Sequence, residues 1–165
     1  MIPSRAGGWL ALVAFILPLP VLRPTPRTDT ATWQQLLAAF EGRGIRVLDQ
    51  HPRCREPDLD GLYVRGLREL VVCPRGDRSL TLRHEGWHLV QSLCLGDGPW
   101  LSAERIERRL TRQDRRELQA LVQPQRRRRE AEARAMAQLP AREYLAELDR
   151  ACTERLPVRA ATPDS

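Results

Sequence analysis

The sequence predicts a single α+β domain, and three observations carry that reading. Apolar residues recur at helical spacing near residue 35 and through most of the chain after residue 77. Three short β-rich runs lie between residues 45 and 73. Strands and helices are segregated, a helix then three short strands then helices, as in an α+β build. The length, 165 residues, suits one domain, expected over residues 28–156, with a disordered tail over 157–165.

The first 27 residues are read as a signal peptide or N-terminal anchor followed by a Pro-rich linker at residues 23–27. Arg5 supplies positive charge, and residues 8–22 are uncharged and mostly apolar, too short for a comfortable membrane span and interrupted by Pro18 and Pro20. No A-x-A site follows, so a cut near residues 28–31 is a placement only. The expected location is periplasmic or extracellular, with membrane attachment if this segment is retained.

Thr30 or Thr32 is a candidate cap for a first helix whose apolar positions are Trp33, Leu36, Leu37 and Phe40, and Gly42 and Gly44 end it. Strands are expected at residues 45–48, 61–64 and 69–73, separated by Pro57-Asp58, Asp60-Gly61 and Gly66 and folded as a meander. Asp77 or Ser79 caps the next helix, which Gly96-Asp-Gly-Pro breaks. Further helices are expected over residues 102–122, 125–139 and from Pro140 to Leu156.

Cys54, Cys73, Cys94 and Cys152 contain no C-x-x-C pair, which argues against a thiolate zinc site. In an exported chain they form disulfides, and three connectivities exist. Cys54 and Cys73 flank the second and third strands, whereas Cys94 and Cys152 end helices, so 54–73 with 94–152 is the expected pairing.

The net charge is +6 and the isoelectric point near 10.0. All 27 basic residues are Arg, with no Lys and no Asn, a composition typical of GC-rich coding. The run at residues 126–129 is read as a solvated helix face, and no basic–aromatic stripe accompanies it, so no nucleic-acid partner is expected.

Two of the three histidines, His84 and His88, lie four residues apart with Glu85 after the first, inside an apolar-flanked run. On a helix this spacing stacks both imidazoles on one face, within reach of one Zn²⁺. Glu85 projects about 100° round the helix, near the metal without ligating it, where it can take a proton from an activated water. A catalytic zinc site needs a third protein ligand. Residue 94 is Cys rather than a third His, so a downstream carboxylate is required: Glu130, Glu132, Glu143 and Glu147 are candidates, while Glu104, Glu107 and Glu117 fall in an evenly charged, solvated helix. Tyr144 and His51 are candidates to stabilise an oxyanion, and Trp87 is read as core.

The order of helix, short strands, H-E-x-x-H helix and a helix with Glu130-Ala-Glu-Ala resembles the gluzincin branch of zinc metallopeptidases. The segments Gly61-Leu-Tyr-Val, Val72-Cys-Pro, residues 82–91 and Ala151-Cys152 are similar to small zincin-like proteins of marine cyanobacteria, over roughly residues 30–155. The resemblance implies Glu130 as third zinc ligand, with Glu132 the alternative, and Ala133 as the small residue that lets two helices approach. Arg134 stands where that family usually has an Asp that orients a zinc-bound histidine, so another acceptor must do so here. The activity implied is zinc-dependent peptide-bond hydrolysis by a monomer acting on a peptide or protein, with Glu85 as general base. The alternative is a zinc-binding, zincin-like envelope protein with little or no activity.

Overall fold

A computed structural model describes residues 30–153, so the expected leader, linker and tail lie outside the described residues. The architecture is α+β: α1 (Thr30–Glu41), β1 (Arg46–Leu48), β2 (Gly61–Tyr63), β3 (Glu69–Val72), α2 (Arg78–Leu93), α3 (Ala103–Arg109), α4 (Arg112–Leu121), α5 (Pro124–Ala137) and α6 (Ala141–Cys152). No helix among the described residues is long and apolar enough to cross a membrane.

The sheet is not the expected meander. Its order is β1-β3-β2, with β1 parallel and β2 antiparallel to β3. The reason lies in burial. Leu70, Val71, Val72 and Cys73 form an unbroken run that is inaccessible to solvent, which only a central strand covered on both faces provides. Strands β1 and β2 contain no fully buried residue and take the edges.

Helix α1 buries Leu36 and Phe40, as its spacing predicts, and half-buries Trp33 under the guanidinium of Arg78, 4.3 Å from the ring centre. Thr30 and Thr32 lie within α1, so neither is its cap. Asp77 caps α2 by accepting from the Leu80 N–H at 2.9 Å, and Gly96 and Asp97, both with positive φ, turn the chain away after it. The single helix expected over residues 102–122 is two. Leu110 is extended, and Thr111 and Asp114 form a reciprocal capping box that starts α4 afresh. Pro140 precedes α6 as its cap residue, and α6 runs to Cys152, with the expected end at Leu156 lying outside the described residues.

Helices α2 and α5 form the most extensively packed pair of elements. Helix α5 is alanine-rich and buried on more than one side, with Ala131, Ala133, Ala135 and Ala137 all covered, and these small side chains let its neighbours come close. Gly86 does the same on the opposite side of α2: a Cβ there would lie 2.2 Å from Phe40 Cζ and 2.8 Å from Tyr144 Oη. The resulting core joins Leu36 and Phe40 to Leu82, Trp87, Met136, Tyr144 and Leu148. Each such buried side chain contributes roughly 1.5–3 kcal/mol of transfer free energy. Disulfides Cys54–Cys73 and Cys94–Cys152 have the expected pairing, the first tying the β1–β2 connection to the end of β3 and the second joining the C-termini of α2 and α6. Two disulfides are compatible with an exported chain.

Candidate metal centre

His84 and His88 lie one turn apart on α2, and Glu130 reaches them from α5. One ligand atom of each lies within 4.8 Å of the others, and among the described residues no other group of His, Cys, Asp and Glu has this geometry. The imidazoles meet edge to face with centroids 4.8 Å apart. Glu130 bridges them: Oε2 is 3.1 Å from His88 Nε2, and Oε1 is 3.4 Å from His84 Nε2. Two imidazole nitrogens and one carboxylate are the donor set of a three-ligand zinc site with an open position.

The hydrogen bonds around His88 test that fit. Gln91, one turn on along α2, donates from its side-chain nitrogen to the Arg129 carbonyl at 3.0 Å and to Glu132 Oε1 at 3.1 Å. Both partners only accept, so the amide orientation is settled and Gln91 Oε1 faces His88 Nδ1 at 3.0 Å. Nδ1 must therefore carry the hydrogen, and Nε2 turns its lone pair toward the Glu130 carboxylate. Two acceptors 3.1 Å apart need a cation between them, either a proton or a metal ion. Gln91 thus supplies an acceptor that orients the His88 imidazole.

The electrostatics agree with that geometry. Burial holds His84 down to about 4, so it is a neutral ligand at any pH near 7. Burial also opposes ionisation of Glu130, but the hydrogen bond to His88 and the charges of both histidines and Arg134 outweigh it and bring the carboxyl to about 2. For His88 burial disfavours the charge, yet the Glu130 hydrogen bond and the nearby carboxylates raise its pKa.

Glu85 lies on the cleft side of the pair, with Oε1 3.9 Å from His84 Nε2. Its Oε2 accepts from the Tyr63 N–H at 2.8 Å, which pins it against edge strand β2. That approach needs Gly61, where a Cβ would sit 2.5 Å from Thr81 Cγ2 and 3.2 Å from Glu85 Cγ. Burial pushes the Glu85 carboxyl up to about 7, against the pull of His88 and the Tyr63 amide, a value suited to moving protons near neutral pH. A cleft of about 630 Å³ opens beside these groups, lined by Asp58, Asp60, Gly61, His84, Glu85 and Arg134 among others.

Several sequence candidates stand elsewhere. Glu132 is 1% exposed and accepts four hydrogen bonds, from Trp87 Nε1, Gln91 and the N–H groups of Trp100 and Leu101, so it has no place in the ligand set. Glu147 is held by the Trp100 indole, Arg105 and Arg150, and Glu143 is exposed. Tyr144 is fully buried behind Gly86, with its phenol pushed far above the ordinary range by burial, and His51 caps the short 3-10 turn at Pro52–Arg55; neither reaches the cleft. Trp87 is core, as expected. In the run at residues 126–129, Arg126 and Arg128 are exposed as expected, whereas Arg127 and Arg129 are half-buried; Arg127, Arg128 and Arg129 donate to the carbonyls of Val122, Leu101 and His88 respectively.

Gln91 and Arg134 were legible as neighbours of ligands at helical spacings of three and four, but Asp114 and Glu117, which approach from α4, carried no local signal. No protein-family model matches this chain, no curated protein matches its sequence and no solved structure matches its fold.

Proposed function

We propose that the chain is an exported zinc-dependent peptidase in which His84, His88 and Glu130 hold Zn²⁺ and Glu85 is the general base. The carrying observation is the convergence of two imidazole nitrogens and a carboxylate within 4.8 Å, with His88 presenting a lone pair that demands a cation and Glu85 beside them on an open cleft. The α+β order and the H-E-x-x-H helix support a zincin-like domain of gluzincin type, similar to small zincin-like proteins of marine cyanobacteria, acting as a monomer on a peptide or protein.

When bound, zinc would polarise the scissile carbonyl and make water more acidic. Glu85 takes the proton of the attacking water at its cleft-facing carboxylate oxygen and returns it to the leaving amine. The Tyr63 amide fixes the other oxygen, so the base is oriented without being neutralised. Gln91 keeps His88 in the tautomer whose Nε2 can ligate. The set offers no Ser, Thr or Cys nucleophile, and Glu85 acts on water as a base, so the chemistry in this reading is direct hydrolysis rather than acyl transfer.

Elemental analysis of the purified protein, beside His84→Ala and Glu130→Ala, tests the site: one zinc per chain is expected, lost in both variants. Glu85→Gln should keep the zinc and lose at least about a hundredfold in peptide hydrolysis. Zinc retained by a wild type that cleaves no peptide library would favour the zinc-binding envelope protein, and no zinc in a folded wild type would sink both readings.

A further inference from the structure

Arg134 occupies the position at which the resemblance expects an Asp, and what it touches is not a histidine. Its Nε donates to Glu130 Oε1 at 3.1 Å, one turn back along α5. Its Nη1 donates to Glu117 Oε2 at 2.6 Å and lies 3.3 Å from Asp114 Oδ1, both on α4. Asp114 is held in turn by the N–H and hydroxyl of Thr111 at 2.9 and 2.6 Å, so the anchor belongs to the cap of α4 rather than to a loose surface side chain. Arg134 is also the one arginine lining the cleft among the described residues.

We propose that Arg134 is a positioning residue for the metal centre, acting through the ligand Glu130 and braced by Asp114 and Glu117. The inference rests on the metal-site reading above. A carboxylate on a helix can rotate about its last torsion at little cost. A donor fixed on Oε1 removes that freedom: it keeps Oε1 3.4 Å from His84 Nε2 and Oε2 3.1 Å from His88 Nε2, so the carboxylate stays turned toward both imidazoles. A guanidinium does this better than an ammonium, because its planar fork can bind Glu130 and the α4 carboxylates at once. The usual Asp orients an imidazole; here Gln91 orients the imidazole and Arg134 orients the carboxylate, so the same preorganisation is split between two residues. Helix α4, which contributes no ligand, thereby becomes part of the metal site.

The test is the affinity for Zn²⁺ alone, measured by competition with a chromophoric chelator, for wild type, Arg134→Gln, Arg134→Lys, Glu130→Ala and the double variant Glu130→Ala/Arg134→Gln. Outer-shell partners of this kind are worth roughly 10–100-fold in metal affinity. Arg134→Gln should weaken zinc within that range and Arg134→Lys should recover only part of the loss. In the Glu130→Ala background the Arg134→Gln change should have no further effect, because the residue it acts through is gone. The visible spectrum of the Co²⁺-loaded protein should shift in Arg134→Gln toward that of Glu130→Ala. Asp114→Asn/Glu117→Gln, which keeps Arg134 but removes its brace, should give an intermediate loss, and it carries the test if Arg134→Gln does not fold. Unchanged zinc affinity in folded Arg134→Gln, or an equal loss with and without Glu130, overturns the positioning role while leaving the metal site standing. A folded wild type that binds no zinc overturns both.

Discussion

Glu132 and Glu85 are both buried carboxylates with opposite fates. Glu132 meets four donors and is satisfied where it stands. Glu132→Ala would leave the Trp87 indole, one N–H of the Gln91 amide and two backbone N–H groups without this acceptor at once, so a loss on the order of 3 kcal/mol or more is expected in a denaturant titration. Glu85 has one backbone donor and is uncomfortable when charged. Its folded-state pKa of about 7 lies above the ordinary 4.5. Between those values the folded, metal-free chain keeps a proton that the unfolded chain has released, so its contribution to stability falls as pH rises through that window and is flat above it. Glu85→Gln removes the titration. In the presence of a chelator the variant should therefore gain on the wild type as pH rises from 4.5 to 7, read from melting temperatures at fixed ionic strength. An unchanged difference across that window would show that Glu85 is solvated.

At the scale of elements, α2 is squeezed from two sides, and glycine and alanine set how closely its neighbours come. Gly86→Ala forces a methyl into Phe40 and Tyr144, on the face of α2 away from His84 and His88. Overpacking of this kind costs about 1–3 kcal/mol, and the expected signature is a lower melting temperature with zinc stoichiometry unchanged in the folded protein. The split between α3 and α4 has a smaller, separable consequence. Thr111→Ala removes a cap worth about 1 kcal/mol. It also loosens Asp114 and, through Arg134, Glu130, so zinc affinity should drop as well. A loss of stability with no change in affinity would confine the cap to α4 itself.

For the whole molecule, the two disulfides close loops of different size: 58 residues for Cys94–Cys152 and 19 for Cys54–Cys73. In the chain-entropy picture these are worth about 4 and about 3 kcal/mol. Cys94→Ser/Cys152→Ser should therefore lower the melting temperature more than Cys54→Ser/Cys73→Ser, and reduction of both should leave little stability in a domain of this size. Equal losses would point to a local role for the Cys54–Cys73 bond in holding β3.

The sequence by itself determined what depends on neighbours along the chain. His84 and His88 share a face because four residues are close to one helical turn, and Glu85 and Gln91 take their places by the same arithmetic. Asp77 caps α2, Gly96 ends it, and the segregation of strands from helices marks the α+β class. Tertiary structure decided what depends on docking. Glu130 and Glu132 are two residues apart, hence about 200° apart round α5. Glu130 faces the histidines and Glu132 the Trp87 indole, Gln91 and the Trp100–Leu101 backbone, and which did so was set by how α5 seats on α2. Strand order was decided in the same way: the unbroken Leu70–Cys73 run held the clue to a central strand, but its parallel pairing with β1 joins residues 23 apart in the chain, which no local pattern specifies. Arg134, Asp114 and Glu117 come together from two helices, and no local pattern could have joined them.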